Sequence, residues 1–81
     1  MELVWVTSAS YEGDYKISLL FNNGSRKIFD FKHLIMTRPL FKCLEDVDKF
    51  KAFKVGDWTL EWDNGNIDIA PEYLYEHGVL A

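Results

Sequence analysis

The sequence predicts an α+β domain, an antiparallel β-meander with two Asn-Gly hairpins packed against two or three short helices. Three observations lead there. Apolar and polar residues alternate with the period of a strand at 15–22 and again at 58–69. Each stretch runs into an Asn-Gly, the pair that a type I′ turn favours because both of its central residues take positive φ. Helical spacing occurs only in short pieces that carry their own start and stop signals. The 81 residues fit one domain over 1–81, near the size at which a single core suffices, burying roughly 60% of the surface of the unfolded chain. A composition 48% hydrophobic and 16% aromatic is that of a globular chain rather than a disordered one.

Residues 3–9 (LVWVTSA) are β-branched and aromatic on both faces, so the expectation is a strand covered on both sides or near the centre of the sheet. Glu12-Gly13-Asp14 turns the chain. Tyr15, Ile17, Leu19 and Phe21 then share one face of a second strand. With Asn23-Gly24 as a two-residue turn, Phe21 lies opposite Arg26, Leu19 opposite Ile28 and Ile17 opposite Asp30. Any helical turn over 33–36 should stop at Arg38-Pro39, because the residue before a proline is pushed out of the helical region.

Asp46 is placed as an N-cap for a short helix that turns Val47, Phe50 and Phe53 to one side. Val55-Gly56-Asp57 makes a turn, and Trp58, Leu60 and Trp62 alternate with polar residues as a half-buried strand. Asn64-Gly65 returns the chain through Ile67 and Ile69. The aromatic–x–Asn–Gly pattern of both hairpins reflects the demands of the turn and needs no internal duplication. Pro71 suits the first position of a last helix, Glu72 its positive end, and Gly78 a left-handed stop with Val79 packed on Leu74.

Several functions are disfavoured. A net charge of −4 argues against direct nucleic-acid binding, which needs clustered lysine and arginine to neutralise phosphates. Cys43 is the single cysteine, so the expectation is a small buried thiol in a reducing cytoplasm, with no disulfide and no zinc spacing. Neither a signal peptide nor a bilayer-spanning run is read. Asn23-Gly24-Ser25 matches a glycosylation sequon that is inert in that compartment. Cys43 with His33 or His77 lacks any nucleophile signature, and no nucleophile elbow, phosphate loop or metalloprotease motif occurs. No catalytic residue, metal site or cofactor is therefore expected.

One group of acids is left over. With Asn64-Gly65 as the turn, Glu61 falls directly opposite Asp68 on the outer side of the second hairpin, where like charges repel by a few tenths of a kcal/mol in screened solvent. Asp63 adjoins them, and Glu72 follows at the helix start. Glu61, Asp63, Asp68 and Glu72 are the candidate partner-binding residues. The spacing of a calcium loop is absent from them.

The stretches "IFDFKHLI", "PLFKCLEDVDKFKAFKV" and above all "TLEWDNGNIDIAPEYLYE" resemble a bacterial family of small proteins of unknown function, DUF2442, over nearly the whole chain. The resemblance implies an α+β domain of antiparallel strands with short helices, and no established activity. Some relatives are fused to a C-terminal helix-turn-helix domain; others are encoded beside a second small protein, as toxin–antitoxin modules are. Asp63 stands where many relatives have a proline, which adds acid beside Glu61 and leaves the turn less preset. The functional expectation is a cytoplasmic interaction module with an unidentified protein partner and, in finer terms, the accessory or antitoxin-like half of a pair. The alternative is a small-molecule-binding or enzymatic domain with a cleft at Trp58 or Tyr73 and a desolvated carboxylate. A further expectation is a homo-oligomer formed through an outer strand edge.

Overall fold

Alternation at Ile17, Leu19 and Phe21 buries all three on one face of strand β2 (Lys16–Phe21). β2 is flanked by β1 (Val6–Gly13) and β3 (Arg26–Asp30), and a short β7 (Val79–Leu80) adds to β3, in the antiparallel order β1-β2-β3-β7. A second antiparallel sheet holds β4 (Lys54–Val55), β5 (Leu60–Trp62) and β6 (Ile67–Asp68). Between the sheets in sequence lie α1 (Lys32–Thr37), a 3₁₀ segment (Pro39–Glu45) and α2 (Val47–Lys51), and α3 (Pro71–His77) precedes β7. This computed structural model describes residues 3–81. The α+β class and the antiparallel meander are as expected from the sequence.

The first hairpin departs from its expected register by one residue. Phe21 N–H donates to Ser25 O (2.9 Å), Gly24 N–H donates back to Phe21 O (2.9 Å), and Gly24 takes φ +85°. The loop is thus three residues, Asn22 to Gly24, with the glycine in the left-handed position. Asn22 is drawn out of the ladder. Its N–H donates to Trp5 O (3.0 Å), its Oδ1 accepts from Trp5 N–H (2.9 Å), and its Nδ2 donates to Leu3 O (3.1 Å). Leu19 consequently faces Lys27 and Ile17 faces Phe29. A one-residue slip exchanges the faces of a strand, so Phe29 enters the core and Ile28 lies half-buried on the other side.

Strand β1 is an edge strand, not a covered one. Only Val6 is fully buried, with Ala9 and Tyr11 half-buried, and register irregularities interrupt it at both ends. The first strand of a meander is left at the margin, and the other margin is taken by β7.

The helical signals are mostly local and mostly hold. Arg38 is extended (φ −107°, ψ 117°) between α1 and the 3₁₀ segment, as the following proline requires. Asp46 caps α2, its Oδ1 accepting from Asp48 N–H at 3.0 Å. On α2 only Phe50 is buried; Phe53, just beyond, is half-buried, and Val47 is exposed because one turn covers too narrow an arc to bury all three. Trp58 precedes β5 rather than joining its buried face and is exposed.

At the end of α3 the expected left-handed stop is absent: Gly78 has φ −73° and ψ 154°, and Val79 is exposed in β7 instead of packing on Leu74. The chain passes straight from helix to strand. A Cβ on Gly78 would stand 2.7 Å from the Leu74 carbonyl oxygen and 3.1 Å from Lys27 Cβ. Space, not conformation, selects glycine there.

Aromatic rings join the two sheets. Phe50 touches Tyr11, Tyr15, Phe31 and Trp62 at centroid distances of 5.4–5.9 Å. Trp62 also meets Phe41, and its Nε1–H donates to Phe50 O (2.8 Å). Such offset and edge-on pairs add to the area they bury.

Candidate functional site

The second hairpin has the register expected from its sequence, Trp62 opposite Ile67 and Glu61 opposite Asp68. Asn64 and Gly65 take φ of +55° and +88°, and Asn66 N–H donates to Asp63 O (3.1 Å), the closure of a type I′ turn. Asp63 is itself left-handed at φ +53°, a value closed to proline, whose ring holds φ near −65°. The turn in this chain is therefore built differently from a proline-preceded one.

Strand β4 changes the electrostatics of the acid pair. Lys54 lies opposite Glu61 from the other side, so across the sheet the outer row reads Lys54, Glu61, Asp68. No ion pair forms among them within the described residues. Glu61 and Asp63 share a shallow hollow of about 220 Å³ with Lys54 and Asn64. Asp68 lines a different one, of about 280 Å³, with Arg38, Leu40 and Tyr73. Glu72 is exposed in the first turn of α3 and lines neither. Three of the four candidate acids thus line one hairpin, and the fourth stands outside both hollows.

A cleft of about 420 Å³ is lined by Tyr15, Lys32, Ile35, Met36, Lys42 and Glu45. It lies beneath a turn in which Gly13, Asp14 and Tyr15 all take positive φ (96°, 53° and 61°), unfavourable for a residue as bulky as tyrosine. Several contacts hold the turn. Tyr15 O accepts from Phe31 N–H (2.9 Å), the Tyr15 hydroxyl donates to Glu45 O, and Asp14 pairs with Lys32 at 2.6 Å. Sequence reasoning missed this cleft because its walls are separated by thirty positions. The one available signal was the Gly13-Asp14 turn.

The Lys32 ammonium, by hydrogen bond and charge, holds the Asp14 carboxyl below its ordinary 3.8, and Asp14 in return raises Lys32 above 10.5. A carboxyl lowered in the folded state stabilises the fold above its unfolded pKa and loses that contribution as pH falls through the lowered value. A raised lysine contributes fully below 10.5 and loses its share as pH rises through the raised value. Asp14→Asn should therefore flatten the acid limb of the melting-temperature profile below pH 3.8 and the alkaline limb above 10.5. Unchanged limbs would show that the pair carries no pH dependence. Both side chains are exposed, so the effect should be small and screened by salt.

Other candidates are placed differently from expectation. Cys43 is exposed rather than buried, lining a hollow of about 350 Å³ with Trp62 and Ile67 that neither histidine borders. Tyr73 lines the hollow beside Asp68, whereas Trp58 borders none of these cavities. No charged side chain among the described residues is buried, so the desolvated carboxylate of an enzymatic cleft is not found there. Nor do three potential metal-ligating side chains gather among them. No helix among them is long and apolar enough to cross a membrane.

The family model described as "Protein of unknown function (DUF2442)" matches residues 6–79, and the chain belongs to that family. No curated protein and no solved structure matches it.

Proposed function

We propose that this DUF2442 protein is a small cytoplasmic interaction module, binding rather than catalytic, that forms the accessory or antitoxin-like half of a two-protein regulatory pair. The observation that carries the reading is the outward row of the second hairpin. Glu61 and Asp68 stand opposite each other there, with Asp63 beside Glu61 and none of them ion-paired among the described residues. Acids without an ion-pair partner favour a basic partner chiefly through association rate. The net charge of −4 adds the same sign over a longer range.

The test is capture of the partner by tagged protein in its native host, with and without Glu61→Gln/Asp68→Asn. The double variant should bind the captured partner more weakly at 50 mM salt and differ little at 500 mM, where the Debye length is only a few Å. Its stability should stay within about 0.5 kcal/mol of the parent, since relief of the Glu61–Asp68 repulsion is offset by loss of the Lys54–Glu61 attraction. Equal binding at both salts would reduce the row to a solvated face.

The cleft under Tyr15 supports a second reading, a small-molecule site, since about 420 Å³ lies within the range of ligand pockets. Two lysines with the apolar side chains of Ile35 and Met36 in the lining suit an anion with an apolar body. A thermal-shift panel of small carboxylates and phosphates with no response would remove it.

A further inference from the structure

Trp58 follows the alternation of a buried strand face, yet the residue is 54% exposed. It stands against Trp5, ring centroids 5.5 Å apart and planes at 85°. Both backbones are fixed. Val6 N–H donates to Trp58 O (2.9 Å), and Asn22 clamps Trp5 through its N–H and its side chain. An edge-on pair covers at most one face of either ring, so the exposed indole keeps an electron-rich face open to solvent.

The turn that carries Trp58 also carries and borders acid. Gly56 N–H donates to Thr59 O (2.9 Å), closing the turn that carries Asp57 and Trp58. The Glu61 carboxylate lies across the base of that turn, its Oε2 only 2.5 Å from where a Gly56 Cβ would be. Among the described residues the chain's own cations sit over other rings, Lys27 over Tyr75 and Lys51 over Tyr11. None lies over the two indoles.

We propose that the Trp5–Trp58 corner is the anchor for a cationic side chain of the protein partner, with Asp57 and Glu61 supplying the counter-charge. This deepens the interaction reading and rests on it. Arginine fits better than lysine, because its planar guanidinium stacks on an indole face while keeping its N–H groups for carboxylates. Gly56 is then part of the site, since only a residue without a side chain lets Glu61 lie over the turn.

The experiment titrates the full isotope-labelled chain with a blocked Gly-Arg-Gly peptide and with its uncharged citrulline counterpart, following the three indole N–H resonances by NMR. Trp58 and Trp5 should shift, Trp62, 2% exposed, should not, and the arginine peptide should bind about 2- to 5-fold tighter than citrulline. Trp58→Leu, with the Trp62 resonance unmoved as proof of folding, should abolish the Trp5 response. Glu61→Gln and Gly56→Ala should each weaken binding, the latter by displacing the carboxylate without removing its charge. Equal binding of the two peptides, or an intact Trp5 response in Trp58→Leu, overturns the corner. A natural partner that Trp58→Leu still captures at full strength also overturns it while leaving the interaction reading standing. Selective arginine-peptide binding with no partner captured in the host does the opposite: the corner stands as a cation site and the interaction reading falls.

Discussion

Replacing Trp62 by alanine should cost about 3–5 kcal/mol, a large share of the net stability of about 5–15 kcal/mol that folded domains have. Trp62 is buried at the meeting point of both sheets, against Phe31, Phe41, Phe50 and Phe53. Small residues cannot refill that volume, because the surrounding rings come from the junction of β3 and α1, the 3₁₀ segment, α2 and the residues just after it and cannot collapse together. Trp62→Phe separates the two contributions. It keeps an aromatic ring for the stack on Phe50 but removes the indole N–H that Phe50 O accepts, and an abandoned buried carbonyl costs about 1–3 kcal/mol. Urea unfolding followed by circular dichroism measures both. An alanine variant within about 1 kcal/mol of the parent would mean that the core is not centred on this ring.

Gly78→Ala should destabilise the fold by about 1–3 kcal/mol although its backbone angles are open to every residue. The new Cβ meets the Leu74 carbonyl oxygen at 2.7 Å, and that atom is backbone, anchored by accepting the Gly78 N–H at 2.9 Å. It cannot swing aside as a side chain would. Asparagine distinguishes this cause from a left-handed helix stop. A left-handed position tolerates asparagine better than alanine, whereas a position short of space should make Gly78→Asn at least as damaging as Gly78→Ala. Thermal melts of the two variants decide it, and a clearly milder asparagine would restore the left-handed reading. The loss should propagate to β7, whose pairing with β3 begins at the next residue.

Features written within a few residues of one another were determined by the sequence alone. They include the break at Arg38-Pro39, the Asp46 cap, the proline start of α3 and the pairing of Glu61 with Asp68. Each depends on one steric rule or one short hydrogen bond that distant residues do not contest. The family resemblance was likewise legible, in the run from Thr59 to Glu76. Tertiary structure decided what distant segments compete for. Asn22 left its hairpin because Leu3 and Trp5 offered it three hydrogen bonds, and that shift chose Phe29 over Ile28 for the core. Lys54 became the neighbour of Glu61 only when β4 paired with β5. The Tyr15 cleft and the Trp5–Trp58 corner join residues thirty and fifty-three positions apart. A propensity or a period ranks the local alternatives by fractions of a kcal/mol, and burying one aromatic ring or satisfying three polar groups outweighs that difference.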